Sequence, residues 1–476
     1  MKAFPKRLGH FLFALFFFPL GTLAAALPNI LFILVDDLGW SELGCYGDDF
    51  FETPNVDQLA AEGMRFTDAY APAPICSASR ASFLTGRTPA RTGLEFVVKR
   101  KQDKPALANT RLLQPPFTLD MPLEEVTIAE ILKDAGYRTG IFGKWHLNEH
   151  YKAYQGWSPT HGPRQQGFQD AKEGFGAHPY SYQDRKFGSY DKGEYPQDAV
   201  TENSIEFLKE NRNHPFFLFY SSFYPHEPVH TRCQWLYDKY AAKPEAKGTA
   251  GDRAMYGAFV EQMDHYIGQL LTAIDDLGLR ENTLVVFSSD NGNSPMYQYR
   301  NILRGGKWDL YEGGIRVPLI ARWPSRIQAG SKSSIPVHGV DLLPTFLEIA
   351  TVSISKDRPI DGSSLVKLFS NPNSSKWQDR ELYWHFPYYH PRITLSRPQS
   401  AIRRGPWKLI YFYEDHSVQL FNVERDIGER NDLSTARPEI ASDLQSSLQT
   451  YLQTSYARMP KPHPDYDSAN GGPIQR

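Results

Sequence analysis

Four short, mainly apolar runs constrain the fold of this 476-residue chain more than any other feature. They cover residues 30–35, 139–142, 216–220 and 283–288. The first run is apolar at every position rather than at every second one, which is typical of a strand buried on both faces of a sheet. A stretch of helical period precedes the last run, with apolar residues every three or four positions between Tyr256 and Leu277. Strands that alternate with helices in this way predict a mostly parallel sheet covered by helices on both faces.

Some helix ends can also be read from the sequence. Thr53 as N-cap, Pro54 in the first turn and Gly63 at the end predict one helix. Thr127 and Glu130 have the spacing of a capping box, which predicts the start of a second helix. Both helices lie between the first two apolar runs, as the alternating pattern requires.

The pattern changes towards the end of the chain, and this change divides the predicted domains. Strand-like runs at residues 407–413 and 418–422 are separated by turns and followed by a helical stretch near residues 441–452. We therefore predict an α/β fold, in which a large, mixed, mostly parallel sheet is sandwiched by helices in residues 27–370. A smaller C-terminal α+β subdomain with an antiparallel sheet is predicted for residues 371–476.

The first 26 residues have the features of a signal peptide. A positive start with Lys2, Lys6 and Arg7 precedes an apolar run over residues 11–20 and a small-residue cleavage site at Ala24-Ala25-Ala26. An uncleaved membrane anchor is the alternative, but the apolar run is short and is broken by a proline and a glycine. We therefore expect an exported protein, periplasmic or secreted, with no stable membrane insertion after signal cleavage.

The overall composition argues against several classes of function. Lysine and arginine total 52 against 54 aspartate and glutamate, so no strong field of one sign indicates a nucleic-acid partner. The three cysteines, Cys45, Cys76 and Cys233, are too few to staple a chain of this length with disulfides. Because their number is odd, at least one thiol has no intramolecular disulfide partner and requires a chemical explanation.

The residues that directly follow the four apolar runs are polar and chemically distinctive. In an open parallel sheet, ligands bind beyond the carboxyl ends of the strands. We therefore expect these residues to converge on one site at that edge of the sheet. They are Asp36-Asp37, Gly143-Lys144-Trp145-His146, Pro225-His226-Glu227-Pro228 and Asp290-Asn291-Gly292.

Two of these segments carry oxygen donors that suit a hard divalent cation. Asp36, Asp37, Asp290 and Asn291 offer carboxylate and amide oxygens, which are the ligands of Ca²⁺ and Mg²⁺. Clusters of cysteine and histidine with zinc spacing are absent from the nearby sequence. Either pair alone is typical of a turn or a helix cap, but two pairs at strand ends in one fold favour a metal site. An all-protein ligand set and the expected export favour Ca²⁺ over Mg²⁺.

The segment Cys76-Ser77-Ala78-Ser79-Arg80 is the most specific signal in the chain. Pro72 and Pro74 keep the approach to it extended, and the residues after Cys76 can begin a helix. A helix N-terminus favours negative charge through its free N–H groups and its dipole. A lone cysteine is commonly a small buried core residue, but the flanking serines, the arginine and the helix start favour a reactive group here.

With this segment the chain resembles the type I, formylglycine-dependent sulfatases of the alkaline phosphatase superfamily, and most closely the exported, arylsulfatase-like carbohydrate sulfatases. The signature of that family is Cys, any residue, Pro or Ala, any residue and Arg, followed later by Thr-Gly-Arg. Cys76, Ala78 and Arg80 match its first part, and Thr85-Gly86-Arg87 matches the second. The resemblance runs from about residue 27 to at least residue 341 and includes further segments in the order of the family. These are Asp36-Asp37, Gly143-Lys144-Trp145-His146, His226, Asp290-Asn291-Gly292, Gly305-Gly306-Lys307 and the run from Glu312 to Pro318.

The resemblance implies a sulfuric ester hydrolase that uses an oxidised Cys76 as its nucleophile. A formylglycine-generating maturation enzyme would convert Cys76 to 3-oxoalanine (formylglycine), whose aldehyde hydrates to a geminal diol. One hydroxyl would attack the sulfur and expel the alcohol, and deprotonation of the other would release sulfate and restore the aldehyde.

The resemblance also implies roles for the other matched residues. The ligands of the bound Ca²⁺ would be Asp36, Asp37, Asp290, Asn291 and the modified Cys76. Arg80 and Lys144 would orient and stabilise the diol, and His146 would be the base for sulfate release. His226 and Lys307 would bind the sulfate oxygens and protonate the leaving group.

Aromatic residues outside the matched segments bear on the substrate. Residues 91–123 and 151–196 lack periodicity and are predicted to be long surface loops, which are uncommon unless they are functional. Aromatic faces stack on the C–H surfaces of sugars, so we expect a sulfated glycan, a poly- or oligosaccharide, as the substrate. Ordinary packing explains any single one of these side chains equally well. They include Tyr151, Tyr154, Trp157, Phe168, Tyr180 and Tyr182 in the second loop and the run Tyr383-Trp384-His385-Phe386-Pro387-Tyr388-Tyr389-His390.

Two other functions are compatible with the sequence. A phosphate-ester or phosphonate hydrolase on the same scaffold would prefer phosphate esters to sulfate esters. A non-catalytic glycan-binding relative would bind glycans without releasing sulfate. The complete set of matched residues argues against the second function, since a decayed site is expected to have lost at least one member.

Overall fold

The computed structural model describes Met1 and residues 27–98, 109–182, 184–247, 252–300, 302–353, 357–374, 377, 379–390 and 396–467. The predicted signal peptide, apart from Met1, lies outside the described residues. Among the residues that are described, no helix has the length and apolar character needed to cross a membrane.

The structure contains the predicted alternation of strands and helices. Numbered in chain order, its strands are β1 Asn29–Val35, β2 Met64–Phe66, β3 Ala69–Tyr70, β4 Leu112–Leu113, β5 Arg138–Gly143, β6 Asp170–Lys172, β7 Phe216–Ser221, β8 Thr283–Ser289, β9 Leu319–Arg322, β10 Ser331–Ser333, β11 Val337–His338, β12 Glu381–Phe386, β13 Gln399–Arg404, β14 Trp407–Phe412, β15 Val418–Asn422 and β16 Lys461–Pro462. Its α-helices are α1 Pro54–Ala61, α2 Cys76–Thr85, α3 Pro89–Thr92, α4 Ile128–Asp134, α5 Ala199–Asn211, α6 Gln234–Ala241, α7 Arg253–Asp276, α8 Glu312–Ile315, α9 Leu342–Ile349, α10 Val366–Ser370 and α11 Pro438–Thr454.

Eight strands form one central sheet in the order β10-β2-β9-β8-β1-β7-β5-β6. The pairs from β8 through β1, β7 and β5 to β6 are all parallel, and β9 is antiparallel to both of its neighbours. The four predicted apolar runs are the adjacent strands β8, β1, β7 and β5, so their carboxyl ends lie at one edge of the sheet. The prediction of a mixed, mostly parallel sheet is therefore confirmed.

Both faces of the central sheet are covered by apolar side chains. Along β1, Phe32 and Leu34 lie in one hydrophobic cluster, and Ile33 and Val35 lie in a second cluster on the opposite face. Helices α2, α4 and α9 contribute to the first cluster, and α7 packs its apolar stripe into the second, as its periodicity predicts. This double burial explains why the strand is apolar at every position.

The C-terminal part contains a four-stranded antiparallel sheet in the order β12-β13-β14-β15. On one face, Ile402 and Leu409 pack against Leu444 and Leu448 of α11. On the other face, side chains such as that of Trp384 belong to the same hydrophobic cluster as the central sheet. The predicted separate antiparallel sheet is confirmed, whereas the domain boundary between residues 370 and 371 stays a prediction.

A buried ionic network also connects the C-terminal sheet to helix α8. The Nζ atom of Lys408 on β14 lies 2.9 Å from a carboxylate oxygen of Glu312 and 2.9 Å from one of Glu429, and all three side chains are fully buried. Burial raises the pKa of Glu429 to about 7. Burial alone would raise the pKa of Glu312 as well, but Lys408 and two arginines outweigh it and lower that pKa to about 2. Glu312 therefore has several cations near it, whereas Glu429 depends on Lys408 for its ion pair.

The segment over residues 151–196 differs from its predicted form as a long surface loop. It contains strand β6, which extends the central sheet, and 3-10 helices at Pro163–Gln166 and Pro179–Ser181. Phe168 and His178 within it are buried. The prediction of a surface loop is therefore wrong for these elements and for the buried residues, because elements of three or four residues are too short to produce a detectable periodicity.

The predicted helix starts agree with the structure. The capping box of α4 is present, with Glu130 N–H donating to the Thr127 hydroxyl and Thr127 N–H donating to the Glu130 carboxylate. Thr53 lies at the N-cap of α1, but its hydroxyl accepts a hydrogen bond from another segment rather than from the helix. Helix α1 ends at Ala61, slightly before the predicted Gly63.

Candidate active site

Cys76 lies at the first residue of α2, as the sequence predicts, and is almost completely buried. Its Sγ atom lies 3.5 Å from Asp36 Oδ1 and 3.7 Å from Asp37 Oδ1. The residue is a thiol in this structure, and Sγ stands in the place of the oxygen atoms that a hydrated aldehyde would carry. The helix start therefore points at the two carboxylates that follow β1.

The carboxyl ends of β1 and β8 bring the four predicted oxygen donors together. Asn291 Nδ2 donates to Asp37 Oδ1 over 2.7 Å, and the Asp37 N–H donates to Asp290 Oδ1 over 3.2 Å. Asp37 has a φ of 65°, in the left-handed region that a residue with a side chain rarely adopts. Strain of this kind persists where the surrounding structure requires it, which is common at functional sites.

This group of side chains has the composition of a metal site. Asp36, Asp37, Cys76 and His226 each offer a ligand atom, and these atoms all lie within 4.8 Å of one another. Asn291 Oδ1 is buried and has no hydrogen-bond partner among the described residues. A buried oxygen without a partner is costly unless a cation is bound there, so the donor set fits a hard divalent ion.

Three cations surround the carboxylates, and each faces a different one. Lys144 Nζ lies 2.5 Å from Asp36 Oδ2, Lys307 Nζ lies 2.7 Å from Asp37 Oδ2, and Arg80 Nε lies 2.7 Å from Asp290 Oδ2. They are Arg80 on α2, Lys144 just after β5 and Lys307 in the loop before α8, and all are buried. Sites dense in buried, paired charge are expected where developing negative charge must be stabilised.

These pairings change the proton affinities of the site. Burial alone would raise the pKa of Asp37, but Lys307 and then His226 outweigh it, so this pKa lies below its ordinary value. Burial raises the pKa of the Cys76 thiol well above its ordinary value, in spite of the opposing charges of Lys144 and Lys307. Without a bound cation, an unmodified thiol here would keep its proton and would be a weak nucleophile at neutral pH.

The two predicted histidines have different surroundings. His146 has a φ of 56°, and its buried Nδ1 atom has no hydrogen-bond partner among the described residues. Burial and the charge of Lys144 lower its pKa well below the ordinary value, so the ring is neutral. His226 places Nε2 3.7 Å from Asp37 Oδ2, and burial and then Lys307 lower its pKa to about 3.

The 3-10 helix at Pro179–Ser181 holds His226 at two points. The Tyr180 hydroxyl lies 3.0 Å from His226 Nδ1 and donates to the carbonyl oxygen of Glu227 over 2.8 Å. His178 Nε2 lies 2.9 Å from the carbonyl oxygen of His226. Sequence reasoning marked Tyr180 only as an aromatic residue and did not mark His178, since neither lies in a matched segment.

Five aromatic rings form a continuous arc between the two catalytic candidates. Successive ring centroids are 5.8, 5.0, 5.2 and 6.1 Å apart. In order the rings are His146, His150, Tyr154, Tyr180 and His226. Tyr154 is 44% exposed, so the middle of the arc faces solvent.

Two polar residues that were not predicted from the sequence, Ser221 and Glu42, form hydrogen bonds with residues in or next to the matched segments. Ser221, the last residue of β7, accepts from Arg80 Nη1 over 2.5 Å and donates to the Lys144 carbonyl over 2.6 Å. Glu42 accepts from Asn293 Nδ2 over 2.5 Å, and burial raises the pKa of Glu42 to about 7. The signal for Ser221 was its position at a strand end. The role of Glu42 could not be predicted from the sequence around it, because its partner Asn293 belongs to a distant segment of the chain.

Several aromatic residues expected to contact sugars lie in the core instead. Phe168, Trp384, Phe386 and Tyr388 are almost fully buried in the cluster beneath the central sheet, where hydrophobic packing holds them. Tyr182 is half-buried under Arg232, whose guanidinium lies 4.4 Å from the ring centroid. The prediction that these residues stack on a substrate is wrong, because burial leaves no free ring face.

All the predicted site residues lie at the expected edge of the sheet. Every predicted site residue except His146 forms a hydrogen bond or an ion pair with another predicted site residue. His146 interacts with the others electrostatically, since burial and the charges of Lys144, Arg80 and His226 lower its pKa. The predicted metal ligands Asp290 and Asn291 contact Asp37 directly. His226, which was not predicted as a metal ligand, also offers a ligand atom within 4.8 Å of those of Asp36, Asp37 and Cys76. The geometry therefore forms one compact site.

Two protein families match this chain. The family described as "Sulfatase" matches residues 28–352, which is more than half of the chain. The family described as "N-sulphoglucosamine sulphohydrolase, C-terminal" matches residues 306–457. The first covers the central sheet with the site, and the second covers most of the C-terminal sheet and α11.

Individual relatives cover nearly the whole chain. Arylsulfatase A of Homo sapiens is 32% identical over 462 residues, which cover 89% of this chain and 82% of that protein. N-acetylgalactosamine-6-sulfatase of Homo sapiens is 31% identical over 481 residues, which cover 91% of this chain and 86% of that protein. The crystal structure of Ps i-CgsB in complex with k-i-k-neocarrahexaose superposes with a TM-score of 0.73 at 28% identity, covering 89% of this chain and 92% of that one.

Proposed function

This chain belongs to the sulfatase family of the alkaline phosphatase superfamily, and from that premise we propose that it removes sulfate from a carbohydrate ester with an aldehyde made from Cys76 and a bound Ca²⁺ ion. Its activity is that of an arylsulfatase-like hydrolase. The proposal that Cys76 supplies the nucleophile as an aldehyde rests on one observation. Cys76 lies at the start of α2, with Sγ beside the carboxylates of Asp36 and Asp37.

The side chains around Cys76 are arranged to hold and activate a hydrated aldehyde. Arg80 and Lys144 bring positive charge to that side of the carboxylates, where they would stabilise negative charge on the attacking oxygen. His146 is neutral and its Nδ1 atom is unpaired among the described residues, so it can take the proton of the second hydroxyl when sulfate leaves. A divalent cation held by Asp36, Asp37, Asp290 and Asn291 would supply Lewis acidity.

Lys307 and His226 lie beside Asp37 and suit the sulfate and leaving-group side of the reaction. In the free site the charge of Lys307 disfavours a proton on His226. A sulfate monoester carries one negative charge, and bound against Lys307 it would offset that charge and favour the protonated imidazole. The ring would then donate from Nε2 to the ester oxygen as the S–O bond breaks.

The first test is a mass spectrum of the tryptic peptide Phe66–Arg80, from protein made in a host with a formylglycine-generating enzyme. We expect the mass deficit that corresponds to conversion of the Cys76 thiol to an aldehyde. An unmodified thiol in fully active enzyme would contradict the proposal and favour phosphate-ester hydrolysis.

Removal of the metal should destabilise the protein and abolish its activity. We expect Ca²⁺, added to chelator-treated enzyme, to raise the melting temperature and to restore activity at lower concentrations than Mg²⁺ does, because the site offers an all-protein set of oxygen ligands. At a Ca²⁺ concentration of about 100 times Kd, the added stability should be about 2.7 kcal/mol. The shift is measured by scanning calorimetry.

The variant Asn291→Ala provides the control for this experiment. It removes the unpaired amide oxygen and should strongly reduce the Ca²⁺-dependent shift in melting temperature. An equal shift in the variant, or equal affinity for Mg²⁺ in the wild-type protein, would contradict the assignment of the ion or of its ligands.

Three observations support a carbohydrate as the substrate. The names of one relative and of one matching family refer to amino-sugar sulfates, and the matching crystal structure contains an oligosaccharide. Tyr154, whose ring contacts those of His150 and Tyr180 between the two site histidines, is 44% exposed. Export through the predicted signal peptide would place the enzyme where sulfated polysaccharides occur. Faster sulfate release from sulfated oligosaccharides than from steroid sulfates or phosphate esters would support this assignment.

A further inference from the structure

His226 is positioned by two residues of one short turn, and the hydrogen bonds fix which ring nitrogen faces the site. The Tyr180 N–H donates to His178 Nδ1 over 3.3 Å, so the proton of the neutral His178 ring is on Nε2. His178 Nε2–H therefore donates to the carbonyl oxygen of His226 over 2.9 Å. The backbone of His226 is thus tied to the turn at residues 178–181.

The ring of His226 is tied to the same turn. The Tyr180 hydroxyl donates its only proton to the carbonyl oxygen of Glu227, so its oxygen accepts from His226 Nδ1 over 3.0 Å. The Glu227 carbonyl oxygen lies nearer, 2.5 Å from Nδ1, so the Nδ1 proton is shared between this oxygen and the Tyr180 hydroxyl, which itself holds the carbonyl. With two oxygen acceptors beside it, Nδ1 carries a proton, and Nε2 is the nitrogen that faces Asp37 Oδ2 at 3.7 Å.

We propose that Tyr180 is a positioning residue that orients His226 so that Nε2 delivers a proton to the leaving-group oxygen. The inference rests on the proposed function, since it assigns the orientation of a group that acts in that reaction. Once the sulfate ester is bound, Nε2 takes up a second proton from solvent, so that the ring is an imidazolium. When the S–O bond breaks, its electron pair goes to the ester oxygen, the proton moves from Nε2 to that oxygen, and the ring returns to its neutral form with the proton on Nδ1. The acceptors at Nδ1 keep the ring in place while it carries the charge.

The packing around Tyr180 separates the role of its hydroxyl from that of its ring. The ring lies 4.5 Å from that of His178, 5.2 Å from that of Phe175 and 5.9 Å from that of Phe223. Phenylalanine retains these contacts and removes only the hydroxyl. The variant Tyr180→Phe therefore tests the hydrogen bonds without opening a cavity.

The readout is the dependence of the rate on the leaving group. A good leaving group such as 4-nitrophenolate needs little protonation, whereas a sugar or alkyl alkoxide needs a full proton. We expect Y180F to lower kcat on alkyl and sugar sulfates by about tenfold to a hundredfold, and on 4-nitrophenyl sulfate by about threefold or less. KM should change little for either substrate, because the hydroxyl does not face the sulfate.

A matched control exists two residues further along the chain. The Tyr182 hydroxyl donates to the carbonyl oxygen of His230 over 3.0 Å and lies 3.4 Å from His230 Nδ1, which reproduces the arrangement of Tyr180 outside the site. We expect Y182F to leave the rates on both classes of substrate unchanged. In the background of His226→Ala, Y180F should have no further effect, because the group that it positions is gone.

Two results would overturn the proposal. One is an equal loss, or no loss, on good and poor leaving groups in Y180F. The other needs no activity: a crystal structure of Y180F in which the His226 ring keeps its orientation and full order would show that the hydroxyl does not position it. Absence of sulfate release by wild-type enzyme with a verified aldehyde would instead overturn the proposed function, and the crystal structure would still decide the role of Tyr180.

Discussion

The variant Cys76→Ser should stop after one turnover, with the sulfo group of the substrate left on the serine. A serine hydroxyl at the start of α2 would meet the same carboxylates and cations as the Cys76 thiol, so transfer to it is feasible. It lacks the second hydroxyl of a hydrated aldehyde, and the resulting sulfate ester has no internal group that can expel sulfate. We therefore expect steady-state activity to fall by several orders of magnitude, to about the level of an enzyme without its nucleophile.

Intact-protein mass spectrometry after incubation with substrate measures the trapped group. The expected result is a mass increase of one sulfo group, which peptide mapping assigns to the substituted position at the start of α2. The control is Cys45→Ser, since Cys45 is half-buried, is a free thiol and lies outside the site. Full activity in this control, together with the loss at position 76, would exclude a general effect of cysteine removal. Sustained turnover by the position-76 variant would contradict the aldehyde mechanism.

The variant Lys408→Ala should lower the free energy of unfolding by about 3 to 5 kcal/mol, because it leaves the buried Glu429 carboxylate without its cation and leaves Glu312 with Arg316 alone as its ion-pair partner. Lys408 lies 2.9 Å from both Glu312 and Glu429, and none of the three side chains is exposed. Burial already raises the pKa of Glu429 to about 7. Without the lysine, at least one carboxyl group must be buried with a proton or with an unpaired charge, and either state costs free energy.

Urea denaturation of the variant and of the wild-type protein measures this difference. Lys172→Ala is the control, since Lys172 pairs with Glu206 over 3.1 Å at the surface and both side chains are about half exposed or more. An exposed pair of this kind contributes about 1 kcal/mol or less. A loss as small as this in Lys408→Ala would show that the network does not support the C-terminal sheet.

Much of the fold and the centre of the site were predictable because both depend on local sequence. Strands β1, β5, β7 and β8 are buried on both faces and are therefore mainly apolar, which makes them visible in a single sequence. The residues after them, such as Asp36 and Asp290, could be placed at one edge because parallel strands share the direction of their carboxyl ends. Cys76 could be placed at a helix start from its neighbours alone.

The parts that could not be predicted depend on contacts between distant segments. Strand β6 has three residues and forms only because β5 offers a free edge beside it. Tyr180 and His226 lie 46 positions apart along the chain, and Tyr180 belongs to a segment with no periodicity. The burial of aromatic residues also depends on distant contacts. The sequence identifies Trp384 and Tyr388 as aromatic, but it does not show whether their rings are buried or exposed.

The shared hydrophobic cluster beneath the central sheet has a consequence for the C-terminal sheet. One face of that sheet packs on α11, and the other completes the core that also contains β1 and α2. A chain that ended at the predicted boundary near residue 370 would expose apolar surface of the cluster that also contains α2, the helix that begins with Cys76. We therefore expect the two sheets to unfold as a single cooperative unit, so that damage to the C-terminal sheet also destabilises the region that holds the nucleophile.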